Sequence, residues 1–243
     1  MKDILQDIVA HTHSLGFLPL VKITGEKDST TIESMAEDRS VIMSAKTLNP
    51  VSEFHGTFGM PNLDKLAMHL KNPEYKENAV IQVVTQDRNG VEVPVNLHFE
   101  NETGDFVNDY RFMSTEVINE KLKTVKFKGA QWDIEFQPVQ AAISRLKLQA
   151  SAHTEENVFE VKTENGNLVF SFGDASTHAG NFVFEPGVKT KLKQTWAWPV
   201  QQVMSILNLD GDKTMKIADA GAMMITVDSG LAEYQYILPA HTK

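Results

Sequence analysis

Apolar residues at the start of the chain recur at helical spacing. Ile4, Leu5, Ile8, Val9 and Leu15 fall on one face, with Asp3, Gln6, Ala10 and Ser14 on the other. This predicts a helix over Asp3–Leu15, stopped by Gly16. The period then shortens to two, predicting strands at Leu18–Thr24, Thr30–Met35, Val41–Ser44 and Phe54–Phe58. Pro61 opens a second helix that ends near Lys71, since a first-turn proline lacks only an N–H that has no helical partner there. Ala79–Gln86 and Val91–Glu100 flank Asp87-Arg-Asn-Gly90, a hairpin signal.

From Met113 to Gln131 the pattern breaks into charged residues with isolated apolar ones, which reads as a connector; Glu116–Leu122 within it also fits a short surface helix. Strand periodicity restarts at Trp132–Phe136, and Pro138 opens a helix to Ala150 with Val139, Ala142, Ile143 and Leu146 on one face. Val158–Thr163 and Leu168–Gly173 flank Glu164-Asn-Gly-Asn167, a second hairpin signal. Further strands are predicted at Phe182–Glu185, Lys189–Trp198, Met215–Ala218, Ala222–Val227 and Ala232–Leu238. The segments Phe58–Leu70 and Trp196–Leu207 share one plan: a strand end, a proline, then a short amphipathic helix. The chain thus reads as α+β, with similar domains at 1–112 and 132–243 and a connector at 113–131. Such a repeat suggests pseudo-symmetry and a closed assembly.

The 243 residues suffice for two domains. No apolar run is long enough to span a bilayer, so no membrane role is expected. Met1-Lys-Asp-Ile-Leu-Gln-Asp lacks the features of a signal peptide, which makes cytoplasmic residence the expectation. With no cysteine there is neither a disulfide framework nor a thiolate metal site. A net charge of −9 argues against a coat that wraps nucleic acid, though a locally basic face on an acidic body stays possible. Lysines cluster at Lys121, Lys123, Lys126 and Lys128, and again at Lys189, Lys191 and Lys193.

Catalytic and metal motifs are missing. His11 and His13 would point about 200° apart on a helix and cannot share an ion. Asp210-Gly-Asp212 starts like a calcium loop, but Gly221 stands where the bidentate glutamate belongs. Asn101-Glu-Thr103 fits a glycosylation acceptor but carries nothing without a secretory signal. There is no phosphate-cradling loop and no nucleophile elbow. No cofactor and no metal are expected.

The outward helix faces are more informative. The helix after Pro61 turns Lys65, Met68 and His69 outward with Lys71 on its flank. The helix after Pro138 presents Gln140, Ala141, Ser144 and Arg145, flanked by Lys147. The helix after Pro199 presents Gln201, Gln202 and Ser205. Apart from Asp64 at a margin these faces carry no acid, in an acidic protein. Ordinary solvated helix faces are the plain alternative.

The order of these pieces resembles the sliding clamps of DNA replication: the T-even-type bacteriophage clamp and, more distantly, proliferating cell nuclear antigen. The likeness is strongest at Phe136–Arg145, at the hairpin Phe159–Phe170 and at Met215–Val227 followed by Leu231–Ala240; Thr57–Leu70 is the best match in the first half. The resemblance implies a homotrimer with six domains around a hole, helices lining the hole and strands forming the outer wall. It implies a non-enzymatic ring that encircles double-stranded DNA, is placed there by a clamp loader and tethers a DNA polymerase, in the cytoplasm of an infected bacterial host. Lys65, His69, Lys71, Arg145, Lys147, Gln201 and Gln202 would then face DNA. Val117, Ile118 and Leu122 of the connector, with Ile237, Leu238, Pro239 and Ala240 of the tail, would take partner peptides, unless they only close the core. Other readings stay open: a monomeric DNA-binding replication accessory factor, a β-rich virion protein, or an enzyme of unrecognised type.

Overall fold

The computed structural model describes the chain apart from Asn89, residues 124–126, Lys128, Ala175, Thr177, Thr242 and Lys243. The centre of the Asp87–Gly90 turn, and Lys126 and Lys128 of the first lysine cluster, therefore lie outside the described residues. The chain divides into two compact units. The first comprises Met1–Val125 with Ser229–Tyr234; the second comprises Lys126–Asp228 with Gln235–Lys243. The division falls inside the predicted connector, and the returning segment Ser229–Tyr234 counts with the first unit.

In the first unit, helix α1 (Lys2–His11) precedes strands β1 (Val21–Glu26), β2 (Ser29–Met35), β3 (Ile42–Thr47) and β4 (Gly56–Met60). Helix α2 (Leu63–Lys71) follows, then β5 (Val80–Arg88), β6 (Val91–Glu100), β7 (Val107–Arg111) and the short helix α3 (Thr115–Lys121). The strands order as β4-β1-β2-β3 and β5-β6-β7. All their pairings are antiparallel, with Ile23 opposite Phe58 and Leu97 opposite Tyr110. Alternate residues of β1 and β2 (Val21, Ile23, Ile32) are buried with Leu5 and Ile8 of α1 and Leu66 of α2. Each such side chain contributes about 1.5–3 kcal/mol on burial. Pro94 sits in the central strand β6, where a ladder donor is normally needed. It is tolerated because the register to β5 shifts at that point, between Val84 and Thr85.

The second unit begins with β8 (Ile134–Phe136) and α4 (Gln140–Ala152), then β9 (Val158–Glu164), β10 (Asn167–Phe172), β11 (Gly180–Glu185) and β12 (Trp196–Pro199). Helix α5 (Val200–Leu207) leads to β13 (Asp212–Ala218), β14 (Ala222–Asp228) and β15 (Ala232–Pro239), of which the first three residues count with the first unit. The orders are β12-β9-β10-β11 and β15-β14-β13-β8. Asn165 and Gly166 both adopt positive φ, 51° and 76°, so the β9–β10 hairpin has the mirror-image turn its Asn-Gly predicts. The core is aromatic: Phe170 stacks on Phe184 at 4.2 Å, and the buried Trp198 donates its indole N–H to the Leu238 carbonyl at 3.0 Å.

The repeat seen in the sequence extends over both units. Each runs helix, four strands, helix, three strands, and in each the fourth strand pairs with the first rather than the third. Met60 opposite Val21 corresponds to Pro199 opposite Val158, each closing a strand that turns into the second helix. Helices α1 and α2 pack together, as do α4 and α5. Among the α-helices and strands of the described residues, α3 and β8 stand outside this plan.

Several predicted bounds move. The first helix ends at His11, because Thr12 leaves helical geometry and His13–Leu15 form a single tighter turn. Asn62, at φ 51°, breaks the path from Pro61, so α2 begins at Leu63; α4 likewise starts two residues after Pro138. Of the predicted strand Lys189–Trp198, only the end is strand: residues before Trp196 form a loop in which Leu192 is buried and the lysines point to solvent.

Candidate functional site

The outward faces of α2 and α4 carry cations without counter-charges among the described residues. Lys65 and Lys71 on α2 and Arg145 on α4 are exposed, Lys147 is half-exposed, and none forms an ion pair among the described residues. Across the four main helices Lys2, Lys65, Lys71, Arg145 and Lys147 outnumber Asp3, Asp7 and Asp64, while the whole chain carries −9. On α5, Gln201 is exposed and lies 3.5 Å from the Ser205 hydroxyl, and Gln202 is half-buried. These side chains can touch an anion loosely without gripping it.

His69 differs from the lysines. It packs against Phe99 and Tyr75, with ring centroids 5.2 and 6.4 Å away. Burial, reinforced by the Lys65 charge, holds its pKa below the ordinary imidazole value. At neutral pH it offers a hydrogen bond and not a charge. On α1, Asp7 is turned inward: its carboxylate accepts from the Ser229 hydroxyl at 3.0 Å and the Tyr234 hydroxyl at 2.8 Å, and it lies 3.2 Å from His11. Asp3 remains exposed.

The residues expected to take a partner peptide fall into two sets. Ile118 and Leu122 are buried in the first unit, and Ile237 and Leu238 are buried in the second, so their apolar surface is used by the fold. Val117, 41% exposed, Pro239, exposed, and Ala240, half-exposed, leave apolar atoms free. The structure adds two residues that sequence reading missed. Leu48 is 57% exposed and Leu231 41% exposed, and the Leu48 N–H donates to the Leu231 carbonyl at 2.9 Å. Each sits beside turn residues, Asn49-Pro50 and Ser229-Gly230, where an apolar side chain has no local reason to be.

Among the described residues β7, like β5, pairs with β6 alone, and β11 pairs with β10 alone, so each ends its sheet. At the start of β7, Phe106 and Val107 are exposed. An open, partly apolar edge invites pairing with another strand. No group of three metal-ligating side chains occurs among the described residues.

No family model and no curated protein sequence matches the chain. Solved structures do. Proliferating cell nuclear antigen (PCNA) from Thermococcus kodakaraensis superposes with a TM-score of 0.67 at 10% identity, over 99% of this chain and 97% of that one. PCNA of A. fulgidus, solved with the C-terminal region of FEN-1 bound, gives 0.65 at 12% identity, over 100% and 95%. The chain thus has, along its whole length, the two-domain α+β fold of the sliding clamps.

Proposed function

We propose that this protein is a sliding clamp: a homotrimeric ring that encircles duplex DNA, is loaded by an ATP-driven clamp loader, and tethers a replicative DNA polymerase. The observation that carries this reading is the likeness to PCNA over the whole of both chains, in a protein whose two units repeat one plan. The unpaired cations of α2 and α4 supply what a moving tether needs. Loose, partly water-mediated phosphate contacts hold position without sequence preference, and many weak contacts repeated by symmetry keep sliding possible. The acidic remainder repels DNA elsewhere. The free edges of β7 and β11 offer a route to subunit pairing.

For partners, the exposed Leu48, Val117 and Leu231 of the first unit are the residues we assign to docking apolar anchors of polymerase and loader. The clamp acts by enclosure, and no residue is assigned a catalytic role. The viral setting rests on the sequence resemblance alone.

Light scattering across a concentration series tests the ring. A trimer of the 27.1 kDa chain, about 81 kDa, supports it. A strict monomer at high concentration removes enclosure and favours a monomeric accessory factor. A trimer without affinity for circular duplex DNA in the presence of a loader favours a structural role.

A further inference from the structure

A cavity of about 250 Å³ lies in the first unit, among β4, the β5–β6 hairpin, the end of β7 and the start of α3. Residues 93–95 of β6 and Phe112 are among its lining. Two arginines line it. Arg88 is the last residue of β5, opposite Val91, and Arg111 is the last of β7, opposite Asn96. Both are exposed, and neither forms an ion pair within 4 Å among the described residues. The walls are held together by the chain itself. The Phe112 N–H donates to the Val95 carbonyl at 2.9 Å, and the Thr115 hydroxyl donates to the Thr57 carbonyl at 2.5 Å. Glu116 is the acid among the lining residues. The Ser114 hydroxyl, with a smaller contribution from Arg88, keeps its carboxyl ionised to below the ordinary range.

Two guanidinium groups against one carboxylate leave a net positive cavity on an acidic protein. Guanidinium forks suit tetrahedral oxyanions, giving paired, charge-assisted hydrogen bonds. The volume lies below the roughly 300 Å³ at which pockets for drug-sized ligands begin. It has room for a phosphate group.

We propose that this cavity is a phosphate-binding site, with the Arg88 and Arg111 guanidiniums as its ligands. The source is either a free small phosphate or the terminal phosphate of a nucleic-acid strand. The site is distinct from the helix faces assigned to duplex DNA and does not depend on that assignment.

Calorimetric titration of the full chain with inorganic phosphate tests it, alongside titration with matched oligonucleotides with and without a 5′-phosphate. Phosphate should bind in the millimolar range. R88Q and R111Q should each weaken binding about 10- to 100-fold, as loss of a charge-assisted bond does. E116Q should strengthen it by removing the repelling carboxylate. Both arginines are exposed, so the variants should keep the wild-type melting curve. A preference for the 5′-phosphorylated strand that R111Q abolishes identifies a strand end as the source; binding of inorganic phosphate alone identifies a free anion. No phosphate binding by the wild type, or binding unchanged in both arginine variants, overturns the proposal. So does an R111Q variant that alters molar mass and leaves phosphate binding unchanged, because Arg111 would then serve subunit contact.

Discussion

Substituting Gly59 by alanine tests how α3 is held. Gly59 lies in β4 and forms a two-way bridge with Met113, through hydrogen bonds of 3.0 and 2.8 Å. A Cβ added there would stand 2.8, 2.9 and 3.0 Å from Cδ1, Cγ1 and Cβ of Ile118. Ordinary carbon contacts need about 3.5–4.0 Å. Because the Ile118 Cβ is fixed to the helix backbone, a rotamer change cannot clear it; α3 itself must retreat by about 0.5–1 Å. Overpacking of this kind costs about 1–3 kcal/mol, and the melting temperature should fall by about 2–4 °C per kcal/mol. Ile118→Ala alone, emptying a fully buried site, should cost about 2–5 kcal/mol. In the double variant the new methyl occupies part of the vacated space, so the combined cost should be about 0.5–3 kcal/mol less than the sum. All three tryptophans, Trp132, Trp196 and Trp198, belong to the second unit, so their fluorescence is blind to this change. The measurement is therefore urea unfolding followed by circular dichroism, with hydrogen exchange at the Ile118 and Leu122 amides. Strictly additive costs, or wild-type protection of those amides in Gly59→Ala, would refute the reasoning. Val117 rides on α3, so partner affinity should weaken in the same variant while DNA affinity holds.

Charge reversal at Lys65 and Arg145 should reduce loader-dependent primer extension and its salt sensitivity with molar mass unchanged; undiminished extension counts against the helix faces as the DNA track. Leu48→Asp and Leu231→Asp, both at exposed positions, should change stability little but weaken polymerase capture at least tenfold in a binding assay. A wild-type affinity would remove these residues from the partner surface. They make a cleaner test than truncation after Tyr236, which would also remove the buried Leu238 and the Trp198 hydrogen bond. His98 lies between Asp109, 3.0 Å away, and Glu100, 3.3 Å away. The Asp109 hydrogen bond, followed by Glu100, raises its pKa above the ordinary value despite partial burial. Its stabilising contribution is therefore complete below the ordinary imidazole pKa and disappears as pH rises through the raised one. Asp109→Asn should lower the pKa read by NMR titration of the ring; an unchanged midpoint would show that the pair is not formed in solution.

The β9 and α5 elements were legible because their apolar residues follow a clean period; on α4, Val139, read onto the inner face, is instead the exposed residue that precedes the helix. Strand β7 was not. Only Tyr110 in Val107–Arg111 is buried, since an edge strand has little to hide and so carries little pattern. The stretch from Lys189 misled in the opposite direction: lysines alternating with uncharged residues imitate a strand where the chain forms a loop. The cations of the helix faces could be read from spacing, because a residue's face follows from the helical period. Their lack of counter-charges could not, and neither could the burial of Ile118 and Leu238, which depends on strands far away in sequence. The meeting of Leu48 with Leu231 is a product of the fold alone.

The bond between Asp7 and Ser229 joins residues 222 positions apart. A ribosome delivers Asp7 long before Ser229, and the first unit cannot close until Tyr234 has emerged. At about 5–20 residues per second, the stretch from Val125 to Tyr234 takes on the order of 5–20 s to synthesise. During that interval α1 must wait with the apolar face of Leu5 and Ile8 incompletely covered, and Asp7 without its two hydroxyl donors. The second unit completes later still, because it takes in Gln235–Lys243. Nascent chains stalled just short of residue 229 should therefore expose α1 to protease and to chaperones. Emergence of Ser229–Tyr234 should act as the latch that seals the first unit over α1.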